Sequence, residues 1–510
     1  MRSRTELKNF LRESAALIAR ERDLSGFEIY ASASEDRVAR INYTSDIPSR
    51  GVEEFKSLNA EGFALRIVMK RDGRETGTAA IAGDLSLEAV RDGLTRARNA
   101  IVVDPHFSGL PSEPAKLPAG SAASPSDLLR ANDGLLAAAA WRVIGVAITT
   151  FRAKGPPKLQ HPGLIVGGDF SVIRDRIAVT NSNYREIRSD ESARFVASIT
   201  VLAEALEAKG TASAIGGSID EMTRASARLG REAVLKALAL QNGERPLPGS
   251  YRVVLGPQPL AEIVNYMVLP SLTTGAFHAS SSAYHGRFGT RVMDARLSLI
   301  DDPLASNGPV RRRITCEGLP TAKTDLIKGG QLVGLLSNFY DARRLINDPN
   351  REEKLGTAGN QVTAFPVRSG YRLGDGGARR FDAHPGASGT NVIMRAREGV
   401  SDEELIKLAG EGIYVGRVWY TYPINGQRNG DFTCTVSGDS HVIRGGKLAK
   451  PLAPNCLRVN ANIAEVFTQP LALGRRAQAA SVWGSPEAYF MPALLADGIT
   501  LAAIGAADSD

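Results

Sequence analysis

The sequence predicts an α+β chain, with an amino-terminal α/β domain over residues 1–245 and a β-rich, barrel- or sandwich-like domain over residues 246–510. Three observations predict it. A chain of 510 residues exceeds what one hydrophobic core usually serves. Its first half alternates helical stripes with strand-like runs, and its second half is mostly short strands between glycine-bearing turns. Between the halves stands Pro246-Leu247-Pro248-Gly249, whose two prolines interrupt helix and sheet ladder alike.

Leu7, Phe10, Leu11, Leu17 and Ile18 recur at helical spacing, so a helix opens the chain. A strand follows at Phe27–Ala31. A second one has Phe63, Leu65, Ile67 and Met69 on one face and runs into a hairpin turn at Asp72-Gly73. Ser86 offers an N-cap to a helix with Leu87, Val90, Leu94 and Ala97 on its apolar stripe. Residues 104–120, rich in Pro, Ser and Gly, read as a surface loop. The apolar stretch 134–151 is as long as a membrane span, but Arg142 at its centre makes a docked helix the expectation. Strand patterns at 164–166 and 172–179 precede a helix carrying Leu229, Ala233, Ala237 and Leu238, with Gly243 as its stop.

Beyond the boundary, strands are expected near 251–255, 297–300, 324–327, 415–420 and 432–436. One helix stands out, opened by the capping box Ser401-Asp402-Glu403-Glu404 and closed by Gly410.

Composition excludes disordered, collagenous and disulfide-rich classes, with 43% hydrophobic and 23% charged residues. A net charge of +7 from 62 basic and 55 acidic residues is too evenly balanced to single out nucleic acid as a partner. Cys316, Cys434 and Cys456 form no CxxC spacing and read as free thiols of a reducing compartment. No signal-peptide hydrophobic region follows Met1, so a cytoplasmic location without membrane attachment is expected.

Chemistry-bearing motifs are scarce. The histidines are His106, His161, His278, His285, His384 and His441, and no two are four or five residues apart, as a zinc-binding helix would require. No serine-nucleophile elbow or Walker loop occurs. The glycine-dense run 373–377 reads as a flexible loop. Arg311-Arg312-Arg313 reads as a solvated edge strand or a contact for an acidic partner.

The order of several phrases resembles the TldD/PmbA family over nearly the whole chain. Glu61-Gly62-Phe63-Ala64-Leu65-Arg66-Ile67 is similar to the family's glycine-led strand, and Asp84–Val90 to its capped helix. Cys316-Glu317-Gly318-Leu319-Pro320-Thr321 with Leu326-Ile327-Lys328-Gly329-Gly330-Gln331-Leu332 resembles its "EG.PT…LI.dG.L" hairpin. Gly412-Ile413-Tyr414-Val415, and Gly430-Asp431-Phe432 with Gly445-Gly446-Lys447-Leu448, resemble its later strands, the last in the manner of the PmbA (TldE) branch. These residues mostly turn the chain, so they speak for fold more than for activity.

The resemblance implies that family activity lies in the TldD branch, where an HExxxH helix and a later cysteine hold a metal. The matching helix here is Leu260–Met267. If Glu262 takes the place of the family glutamate, Ala261 and Tyr266 stand where the two histidines would be. Alanine offers no lone pair and a neutral phenol is a poor zinc ligand. The resemblance therefore implies a non-catalytic, pseudo-protease subunit that binds no cofactor. It would pair with a TldD-like metalloprotease, whose divalent metal, zinc, acts on peptides or unfolded protein; a homodimer in the absence of that partner stays open. Two alternatives stay open: a metallopeptidase with an unconventional site drawn from Glu262, His278, His285 or Cys434, and a regulatory or nucleic-acid-binding protein without sequence specificity.

Overall fold

The computed structural model describes residues 1–45, 47, 50–71, 73–113, 126–156 and 163–504. Asp72 of the expected hairpin turn, the later part of the expected 104–120 loop and His161 lie outside the described residues.

An amino-terminal α/β domain comes first. Helix α1 (Arg4–Ile18) is closed at its start by a Ser3/Glu6 capping box. Strands β1 (Leu24–Thr44), β2 (Lys56–Met69) and β3 (Glu75–Ala82) follow. Helix α2 (Leu87–Asn99) takes its cap from Ser86, which accepts the Ala89 N–H. Strand β4 (Val102–Val103), helix α3 (Asp133–Lys154), strands β5 (Leu164–Asn181), β6 (Arg188–Ala203) and β7 (Ala208–Gly216), and helix α4 (Ile219–Ala239) complete it. The strands form one sheet in the order β4-β3-β2-β1-β5-β6-β7, antiparallel at every pairing.

Side-chain alternation gives this sheet two unlike faces. Ile29, Ala31, Ala39 and Ile41 of β1 point to the face covered by the helices, α1 and α2 at one end and α3 and α4 at the other. Glu28, Tyr30, Ser32 and Ser34 point the opposite way and are also buried. Their cover is the carboxy-terminal domain, where Ile314, Cys316 and Phe381 pack against Tyr30, Ile177 and Val179. The two strands expected at 164–166 and 172–179 are one. Gly168, at φ +135°, carries β5 through the gap, and a Cβ there would lie 2.0 Å from the Ser198 carbonyl oxygen.

Helix α3 is long and apolar enough to cross a bilayer, yet Leu136, Ala140, Val143 and Ala147 are buried in the core beneath α4. Gly230 allows that approach, because a Cβ on it would sit 2.3 Å from the Val143 carbonyl oxygen. Arg142 lies on the exposed face.

The carboxy-terminal domain is β-rich. Strand β8 (Gly249–Leu255) is central in a nine-stranded mixed sheet, parallel to Gly412–Val415 and antiparallel to Leu494–Ala503. A six-stranded sheet contains Leu297–Asp301, Thr324–Lys328 and Asn391–Ala396. Both sheets feed one apolar core, which also takes in Leu260, Ile263, Val264 and Met267 from the helix after β8.

Two segments expected to be solvated or loose are fastened between the domains, which corrects their reading. Arg379 is 1% exposed and bridges Asp175 (2.7 Å) and Asp190 (2.8 Å) from the amino-terminal sheet. Arg313 joins the same Asp190 at 2.8 Å, so the arginine run is no solvated edge. Arg312, fully buried, stacks on Tyr371 and donates to the Gly377 carbonyl, and Arg194 donates to that of Gly376. The glycine run thus supplies carbonyl oxygens to arginines from both domains, and is fixed rather than flexible. Desolvated charges are tolerated here because each has an opposite charge or a carbonyl in contact.

Candidate functional site

Strand β8 ends at Leu255, and Gly256 turns the chain into helix α5 (Pro257–Ile263), with Pro257 at the position where a missing N–H costs least. The helix then widens into a π turn at Val264–Val268, where the Leu269 N–H reaches the Val264 carbonyl, and returns to α geometry at Leu269–Ser271. Pro270 has no N–H for the next α-type bond, which gives the change of register a local cause.

Glu262 leaves this helix toward strand Arg417–Pro423, the edge of the nine-stranded sheet. It is 3% exposed. Gln258, one turn earlier, donates to Glu262 Oε1 (3.1 Å) and ties the helix to the strand by accepting the Val418 N–H (3.0 Å). Arg417, Thr421, Tyr266 and Cys434 complete the surroundings of the carboxylate. A bulge in the pairing between Trp419 and Tyr422 places Tyr420 at φ +56°, leaving Tyr420 exposed and Thr421 buried. Among the described residues, the Thr421 hydroxyl makes no hydrogen bond of good geometry. At the rim, Arg417 lies over the Trp419 ring, which in turn packs on Trp483 at 5.9 Å.

Burial pushes the Glu262 carboxyl up to about 7, against the pull of Arg417 and the polar side chains of Thr421 and Gln258. Burial first, and then Glu262, raise both the Cys434 thiol and the Tyr266 phenol. The thiol and the phenol therefore stay protonated at neutral pH, while Glu262 is divided between its two forms; zinc takes thiolate, neutral imidazole or carboxylate. Ala261 is fully buried and brings no donor. Among the described residues, no group of three or more His, Cys, Asp or Glu side chains is placed to hold a metal ion. The residues present do not fit a zinc centre of the HExxxH kind. What the arrangement can do is take up or release a proton at Glu262 near neutral pH.

The structure brings Glu262, Tyr266 and Cys434 together and leaves the other candidates elsewhere. His278 faces Asp348 (3.3 Å) and meets His106 edge to face. His285 lies by Arg428 (3.4 Å). His384 and Cys316 line a cavity between the domains, and His441 borders a smaller one beside Arg417. Cys316, Cys434 and Cys456 are all free and buried. Sequence reasoning missed Gln258, Arg417 and Thr421. The spacing of Gln258 and Glu262 at i, i+4 on a helix was the available signal for the first. For the strand residues, 155 or more positions away, no local signal exists.

The family model for the PmbA/TldA metallopeptidase C-terminal domain matches residues 248–503. An uncharacterized protein of Methanocaldococcus jannaschii is 25% identical over 221 residues, which is 43% of this chain and 45% of that one. Among solved structures, TldE from Thermococcus kodakarensis superposes with a TM-score of 0.76 at 17% identity, covering 98% of this chain and all of that one. A Thermotoga maritima protein described as a candidate modulator of a DNA gyrase gives 0.70 at 15% identity, over 97% and 99% of the two chains. At these identities the superpositions speak for the fold alone.

Proposed function

This chain belongs to the PmbA/TldD family, and on that premise we propose that it is a pseudo-protease subunit, which pairs with a TldD-like metalloprotease and lends walls rather than chemistry to a peptide-cleaving or peptide-maturing complex. One observation carries the proposal. Glu262 sits on a well-formed buried helix, but Ala261 and Tyr266 flank it where a metal centre would need two imidazoles. Without a metal to lower the pKa of water, the Glu262 carboxyl has no metal-bound nucleophile to activate, even though it titrates near neutrality. The zinc of the complex belongs, on this reading, to the partner, and the three unpaired thiols suit a cytoplasmic location.

Support against the rival metallopeptidase reading comes from His278 and His285, which have other neighbours than Glu262. The nucleic-acid reading loses its basic run, since Arg312 is buried and Arg313 is paired. Co-expression with a TldD-like chain tests the proposal. Size-exclusion chromatography should give one joint peak at micromolar concentration, and the joint species should cleave peptides faster than the partner alone. Separate elution, or equal rates, would overturn it.

A further inference from the structure

A cavity lies away from Glu262, between the amino-terminal sheet and the carboxy-terminal domain. Its volume is about 630 Å³, within the usual range for small-molecule sites. Its floor is the face of β1 and β2 that carries Glu28 and Arg66, which stand directly opposite each other across the two strands. Leu110, Phe107, Phe339 and Phe381 supply apolar walls.

The polar groups of this cavity divide into satisfied and unsatisfied ones. Asp341 is paired with Arg344 at 2.9 Å, and Arg372 donates to the Ala383 carbonyl at 2.9 Å. Asp382 is paired with Arg380, and Asp104 accepts from the Tyr340 hydroxyl at 3.1 Å. Glu28 is different. It is 8% exposed and, among the described residues, has neither a hydrogen bond nor an ion pair within 4.0 Å. Arg66 likewise has no ion pair among the described residues. Glu317 uses Oε1 to accept the Phe339 N–H (3.0 Å), while its buried Oε2 has no hydrogen-bond partner among the described residues. Burial, reinforced by Glu317, pushes the Glu28 carboxyl up despite Arg66 and Arg372.

A desolvated carboxylate without a partner is costly, so a cationic group brought to Glu28 would be strongly favoured. A bare metal cation is a poor candidate, because Arg66 and Arg372 lie within reach of the same carboxylate and would repel it. A ligand bearing both charges close together satisfies Glu28 and Arg66 at once. We propose that this cavity binds the zwitterionic head of an amino acid or dipeptide with an apolar side chain, its ammonium group against Glu28 and Glu317 and its carboxylate against Arg66. The apolar walls take the side chain. The site stands on this chain alone and does not depend on a partner subunit.

Calorimetric titration of the full chain tests it, with L-phenylalanine and Leu-Phe as probes. Binding with a submillimolar Kd is expected for at least one of them. N-acetyl-L-phenylalanine and L-phenylalaninamide, each lacking one charge, should bind about tenfold or more weakly, the scale of one lost charge-assisted contact. Glu28→Gln should weaken the free-amine probes by about tenfold yet leave N-acetyl-L-phenylalanine unchanged, and Arg66→Gln should discriminate the opposite way, against the free carboxylate. No heat from either probe at about 10 mM, or a change of less than about threefold on both acetylation and amidation, would overturn the proposal; because those arms use the unaltered chain, a variant that fails to fold does not obscure the result.

Discussion

Replacing Glu262 by glutamine changes one buried, titratable group while keeping its shape and its contact with Gln258. Its carboxyl ionises at about 7 in the folded chain against 4.5 in the free side chain. Below that lower value both states are protonated and the group contributes nothing to the pH dependence of stability. Between the two values the unfolded chain releases a proton that the folded chain keeps. Unfolding is then favoured as pH rises, and stability falls until the folded carboxyl also ionises. At about 1.4 kcal/mol per pKa unit the loss amounts to about 3 kcal/mol above pH 7. Asp301, which burial also pushes up to about 7, adds a similar slope, but it is common to both proteins and cancels in the difference. Urea denaturation of the wild type and Glu262→Gln at pH 5, 6, 7 and 8 measures that difference. The variant should gain on the wild type from pH 5 to 7 and level off by pH 8, by about 2.5 kcal/mol across the range. A difference that stays flat with pH would refute the burial argument. One that grows toward acid would mean that Arg417 pairs with the carboxylate and holds it ionised.

Arg379→Ala removes the cation that Asp175 and Asp190 share between the domains, and should cost about 3–5 kcal/mol, read as an earlier denaturation midpoint. Loss of less than about 1 kcal/mol would mean that water or neighbouring arginines replace it. The purified chain should carry under about one-tenth equivalent of zinc by elemental analysis after dialysis, since no donor set of zinc type surrounds Glu262. Stoichiometric zinc would favour the metallopeptidase reading.

The elements that the sequence made legible are the locally determined ones. The Ser86 cap and the stripe of α4 both follow from residues within a turn or two of each other. Ala261 and Tyr266 were singled out by the family resemblance and not by spacing. Burial was not legible, because it depends on what the other domain brings. Arg311–Arg313 looks solvated in isolation, and only Asp190, more than a hundred residues earlier, shows why Arg313 is held inside. The glycine run at 373–377 has the composition of a loose loop, yet two arginines fasten its carbonyls. Likewise Cys434 and Thr421 reach Glu262 only through sheet pairing across the fold, which no spacing in the chain encodes.

The central claim is that this chain contributes shape and its partner contributes chemistry. Peptide-cleavage rates of two reconstituted complexes test it most directly, one carrying Glu262→Gln in this chain and the other carrying the glutamate-to-glutamine change in the partner's HExxxH helix. The account predicts a rate within about threefold of wild type for the first and a loss of roughly a hundredfold or more for the second, the usual scale for removing a general base. A hundredfold loss from Glu262→Gln, with the complex still assembled, would contradict it and place catalysis in this chain.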